Sequence, residues 1–135
     1  MILQLTEAIK EAARECGYEA YSGFAHRLNS TIEILPAAWI EPAKLISHTG
    51  RKECRDTYRV TLTLITPEPA DGEKGESAWD ALEDDAGKIT ELLSGRSFVI
   101  YATMLKNLCV LGNLTEKGEI STTAEIEAEV IYLKE

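Results

Sequence analysis

Two histidines, three cysteines and an abundance of carboxylates are the residues of this sequence that could carry chemistry unaided. His26 lies beside Arg27 in a turn-like stretch, and His48 lies in the segment Ser47-His48-Thr49-Gly50. Neither has a histidine, cysteine or carboxylate three or four residues on, the spacing that places two metal ligands on one helical face. A thiolate–imidazole pair is a matter of space rather than sequence. Cys16, however, falls on the apolar stripe of a helix, Cys109 inside an apolar strand and Cys54 at the start of the central strand, so all three read as core thiols. Their odd number and wide separation make no disulfide framework, and no C-x-x-C pair suggests zinc.

Among the carboxylates, Glu83-Asp84-Asp85 is a run on a helix and reads as a solvated face. Glu125, Glu127 and Glu129 stand on one side of a strand at period two. Like charges in a row repel, so basic groups should oppose them, and Arg55 and Arg59 on the polar side of a neighbouring strand are the candidates. Gly72-Glu73-Lys74-Gly75 lacks the spacing and setting of a phosphate loop. G-x-S-x-G, H-E-x-x-H and calcium-loop patterns are absent from the sequence. The expectation is a non-enzymatic protein with no catalytic, metal or cofactor site.

Composition narrows the partners. A formal charge of −9 lacks the lysine and arginine excess that phosphate backbones demand, and it disfavours an anionic membrane surface. Solubility through self-repulsion accounts for it. Met1-Ile2-Leu3-Gln4 has no basic leader and is soon followed by Glu7, Lys10 and Glu11, so no secretory signal is expected. No apolar run approaches the roughly 20 residues that span a bilayer. At 135 residues, 44% hydrophobic, the chain is expected to form a single domain over 1–135 that needs no staple.

The elements follow from periodicity. Ile2, Leu5, Ile9, Ala12, Ala13 and Cys16 make an apolar stripe at helical spacing, closed by Gly17. Thr31 to Leu35 begins a strand; Pro36 and Pro42 confine any strand between them to an edge or a short irregular piece; Ala43 to Ile46 adds another. From Cys54 to Thr66 the side chains alternate, Tyr58, Val60, Leu62 and Leu64 facing one way. Residues 68–76 read as a loop, and Ser77 offers an N-cap to a second helix with Trp79, Leu82, Ala86, Ile89 and Leu93 on one face, ending at Gly95. Ser97 to Met104 and Asn107 to Leu114 read as two strands joined at Leu105-Lys106, and Ile120 to Leu133 as a third. The order α-β-β-β-α-β-β-β with short turns implies an α+β fold, a mostly antiparallel sheet with two helices packed on it.

This layout resembles the small tail proteins of long-tailed bacteriophages, above all the tail terminator (tail completion) group and related minor tail proteins. The features that carry it are the helix Leu3 to Cys16, the segment Leu35-Pro36-Ala37-Ala38-Trp39, the strand Tyr58 to Thr66, the second helix, and the ending Glu127-Ala128-Glu129-Val130-Ile131-Tyr132. The resemblance covers most of the chain and rests on element order and pattern. It implies a homo-oligomeric ring, commonly a hexamer, that caps the tail tube and meets the head connector. Its partners would then be itself, a tail-tube protein and a head-completion protein, first in the host cytoplasm and then in the virion tail. Arg51, Lys52 and Arg55 on one loop and Glu68, Asp71 and Glu73 on another are candidate partners across such an interface, by opposite charge. Two alternatives stay open: a monomeric or dimeric bacterial binding module whose sheet holds a small ligand or peptide, and a hydrolase using a thiol or carboxylate.

Overall fold

The computed structural model describes residues 1–67, 75–112 and 119–134, and within them not the side chains of residues 29, 75–77 and 108–112. The first helix, α1 (Ile2–Glu15), buries Leu5, Ala8, Ile9, Ala12 and Ala13. Its end is the predicted glycine stop: Gly17 has φ +93°, its N–H donates to Arg14, and the Tyr18 N–H reaches back to Ala13. The chain then forms β1 (Glu19–Ser22), a 3-10 turn at Ala25–Arg27, and a one-turn helix α2 (Leu28–Thr31).

Here the structure corrects the sequence reading. Thr31 closes α2 instead of opening a strand, and Ile32 packs beneath α2 with Leu28 and Trp39. β-Branched residues favour strands only where a pleated surface receives them. The next strand, β2 (Ala37–Ile40), is buried throughout and lies inside the sheet, pairing in parallel with β1 and antiparallel with β4. Pro36 and Pro42 lie outside its four residues, so neither removes a ladder hydrogen bond. The Leu35–Pro36 peptide is cis.

The strand β3 (Lys44–Thr49) turns back through Gly50 into β4 (Glu53–Pro67), the spine of the sheet. β4 pairs with β6 (Glu119–Leu133) in unbroken register from Glu53 opposite Leu133 to Pro67 opposite Glu119. The predicted second helix, α3 (Gly75–Ser94), begins two residues before Ser77 and buries Leu82, Ala86, Ile89 and Leu93. The two strands expected after it are one, β5 (Val99–Gly112), in which the supposed link is a bulge at Leu105. The sheet order is β1-β2-β4-β6-β5, with β3 beside β4 on the β2 side.

Inward side chains of the long strands, Tyr58, Val60, Leu62 and Leu64 among them, meet α1 and α3 in the main core. On the other face a smaller cluster of Leu28, Ile32, Ala37, Trp39 and Ile65 lies under the α2 segment. The class expected from sequence, α+β with a mostly antiparallel sheet, is the class observed. Among the described residues no helix is long and apolar enough to cross a membrane.

Gly50 fixes the β3–β4 turn. Its φ is +95°, and a Cβ there would sit 2.0 Å from the Glu53 carbonyl oxygen. Gly50→Ala should therefore cost about 1–3 kcal/mol. Chemical denaturation measures it, and amide exchange should show the loosening concentrated at residues 48–55. An unchanged midpoint would mean that the turn tolerates an L-residue.

Candidate assembly surface

The β3–β4 hairpin carries the basic residues singled out from sequence. Arg51 and Lys52 occupy its tip, and Arg55 stands a few residues into β4, opposite Thr49; all three are exposed. Glu68, Asp71 and Glu73 lie outside the described residues, so the pairing expected for them is not placed.

Beneath the basic tip is a polar cluster that the sequence reading missed. Cys54, Asp56 and Tyr58 share the inward side of β4, because they lie at period two. Asp56, buried, accepts hydrogen bonds from the Tyr132 hydroxyl at 2.9 Å and the Tyr58 hydroxyl at 3.3 Å. Its other carboxylate oxygen is hydrogen-bonded to His48 Nδ1 across the hairpin. Burial alone would raise the Asp56 pKa. The hydrogen bonds from His48 and Tyr132, the His48 charge and the Tyr58 hydroxyl outweigh it and hold the carboxyl below its ordinary value. Reciprocally, the hydrogen bond to Asp56 pushes the Tyr132 phenol up to about 12. The Cys54 thiol points to the Gly50 and Arg51 carbonyls at 3.8 Å, and the Lys134 N–H donates to the Lys52 carbonyl at 2.8 Å. The exposed cations thus ride on a hairpin base locked from below. The available sequence signal was an aspartate in an otherwise apolar inward register of an alternating strand.

The sheet face opposite α1 and α3 shows the cross-strand pairing expected of the glutamate row, through Arg59. Its guanidinium meets Glu127 at 3.3 Å and Glu125 at 3.9 Å, while Lys106 meets Glu125 at 3.7 Å and the Tyr101 hydroxyl donates to Glu127 at 2.9 Å. Exposed pairs of this kind add little stability. Arg55, the other candidate, faces Ile131 and makes no ion pair among the described residues. Beside Arg59 and Glu125 lies a concave region of about 420 Å³ bounded by Phe24, Pro42 and Ile46.

His26 stacks against Phe24 on the surface with ring centroids 6.1 Å apart, and His48 is engaged by Asp56 rather than by a thiol. Among the described residues no three metal-ligating side chains converge. Burial, with Asp85 nearby, pushes the Cys16 thiol up, which makes it a poor nucleophile at neutral pH. The Cys109 side chain lies outside the described residues.

No protein-family model and no curated protein sequence matches the chain. Among solved structures, the chain is similar to PilO, a type 4 fimbrial biogenesis protein from Pseudomonas aeruginosa, at 8% identity over 97% of this chain and 69% of that one, with a TM-score of 0.44. It is also similar to a chain from the virion of a native gene transfer agent particle, at 12% identity over 97% of this chain and 92% of that one, with a TM-score of 0.56. At 12% identity, what the chain shares with the gene transfer agent chain is the fold, nearly end to end.

Proposed function

We propose that this chain is a structural subunit of a phage-like particle, a tail-terminator-like protein that forms a ring at the end of the tail tube and joins it to the head connector. The observation that carries the reading is the fold it shares, over nearly all of both chains, with a component of a gene transfer agent virion. The order of its elements supports the same reading, as does a surface whose distinctive features are a rigidly mounted basic hairpin and open sheet edges. In this reading the protein works through its surfaces and catalyses nothing. It assembles in the host cytoplasm and stays in the particle.

Mass spectrometry of particles purified from the encoding organism tests this. The chain should be present in intact particles and remain with tails detached from heads. Particles that lack it, or a chain found only with the heads, would contradict the assignment.

Reversing the hairpin charges with Arg51→Glu and Lys52→Glu should leave stability within about 0.5 kcal/mol, since both side chains are exposed. Assembly, followed by light scattering across salt concentrations, should weaken and lose part of its salt dependence. Identical assembly curves for wild type and variant would remove the hairpin from the interface.

The concave region beside Ile46 and Arg59 favours one other reading, a binding module for a small ligand or peptide. In that case the chain would be monomeric or dimeric and absent from particles.

A further inference from the structure

The register of the sheet is interrupted in three places among the described residues, and each is in a strand with one open side. In β3 the extra residue is Ile46; in β5 the extra residues are Ile100 and Leu105. Bulges at sheet edges commonly block edge-to-edge pairing, and they do so best with polar or charged residues. Here each displays a large aliphatic side chain to solvent, 48%, 43% and 44% exposed respectively. A bulge re-aims a side chain; Ile46 is exposed on the β3 flank, where it borders the concave region beside Arg59, and Ile100 and Leu105 are exposed on the β5 flank.

The two flanks differ in charge. On the β3 side, Lys44, Arg51, Lys52 and Arg55 are exposed and form no ion pair among the described residues. On the β5 side, α3 packs over β5 and β6 and presents Asp80, Glu83, Asp84 and Glu91, also exposed and without an ion pair among the described residues. Against these cations the β3 flank sets one exposed acid, Glu53, so it carries a net positive charge that complements the acids of α3.

We infer that the β3 flank of one copy of this chain docks against the β5–α3 flank of the next, with Ile46 meeting the Ile100–Leu105 edge and the hairpin cations facing the acids of α3. The contact is heterologous, the kind that generates a ring when its rotation closes. It relies on side chains rather than on an extended backbone ladder, because the bulges interrupt both edges. The inference rests on the ring-forming reading and adds the surfaces and the direction of the contact. It moves the acidic partner of the basic hairpin from residues 68–73 to α3.

The test is a mixing experiment with two full-length variants, Ile46→Glu to block one flank and Leu105→Glu to block the other. Both residues are exposed, so near-ultraviolet circular dichroism and Tm should stay close to wild type; Ile46→Ser and Leu105→Ser serve if either glutamate variant fails to fold. Sedimentation velocity at low salt should show wild type forming oligomers and each variant weakened at least about a hundredfold, since a charge is placed without a partner in the contact. The equimolar mixture should recover a dimer and stop there, because only one intact flank remains on each partner. Charge reversal at Asp84 and Glu91 should weaken the wild-type oligomer as well and restore association with the Arg51→Glu, Lys52→Glu chain. A wild type that stays monomeric up to its solubility limit, or a mixture no larger than its components, overturns the contact. Oligomers undiminished in both variants also overturn it while leaving the ring-forming reading in place.

Discussion

Truncating Trp39 to alanine should lower the unfolding free energy by about 3–5 kcal/mol and Tm by roughly 10–20 °C, the largest loss expected from any single surface-silent change. Trp39 is 1% exposed and central to the smaller core, where it meets Leu28, Ile32, Ala37 and Ile65. Its ring also lies against the backbone of Gly23, where a Cβ would come within 3.2 Å of it. The loss should be global, because β2 is paired on both sides, with β1 and with β4. Trp39→Phe should cost less than half as much, since the buried indole N–H has no acceptor among the described residues and its removal forfeits no hydrogen bond. Urea denaturation of the two variants decides it. Equal losses would mean that the N–H is bonded; a small loss for alanine would mean that the α2 segment collapses to fill the space.

Asp56 gives the second large effect, and it depends on pH. Asp56→Ala leaves the Tyr58 and Tyr132 hydroxyls and His48 without their acceptor, at a cost of about 2–4 kcal/mol near neutral pH. Because the folded carboxyl titrates below its ordinary value, its contribution is fully present above the unfolded pKa, about 3.9, and is lost as the pH falls through the folded pKa. The stability difference between wild type and Asp56→Asn should therefore shrink as the pH falls below about 4. Comparing against asparagine isolates this group from the chain's other carboxylates. A difference that stays constant or grows as the pH falls from about 4 would show that the aspartate pKa is not depressed.

Local period made much of the fold legible. The stripe of α1 and its stop at Gly17, the alternation through Tyr58, Val60, Leu62 and Leu64, and the buried face of α3 each needed only neighbouring residues. What escaped depends on distant partners. β1 is four residues long and becomes a strand only because β2 lies beside it. β2 is interior because β1 and β4 claim both its edges, which two flanking prolines could not reveal. A bulge reads in sequence as a break, so Leu105-Lys106 looked like a link between strands and Ile46 like the end of one.

The candidate surface was legible in part. Charge alone brought out Arg51, Lys52 and Arg55, and the hairpin does bring them to one end of the sheet. The cluster beneath them was hidden because Asp56, Tyr58, Tyr132 and His48 come from three strands. Glu125 and Glu127 found Arg59 as cross-strand logic required, because that pairing follows from antiparallel neighbours on one face. Glu125 and Glu127 of the row therefore balance the charge of Arg59 on the sheet surface.

Cryo-electron microscopy of particles from the encoding organism decides whether this chain builds the ring. A closed ring of identical subunits is expected at the end of the tail tube next to the head connector, each subunit fitted by this α+β fold. A chain found as isolated copies elsewhere in the particle, or a tube end built without it, would rule out a ring-forming terminator.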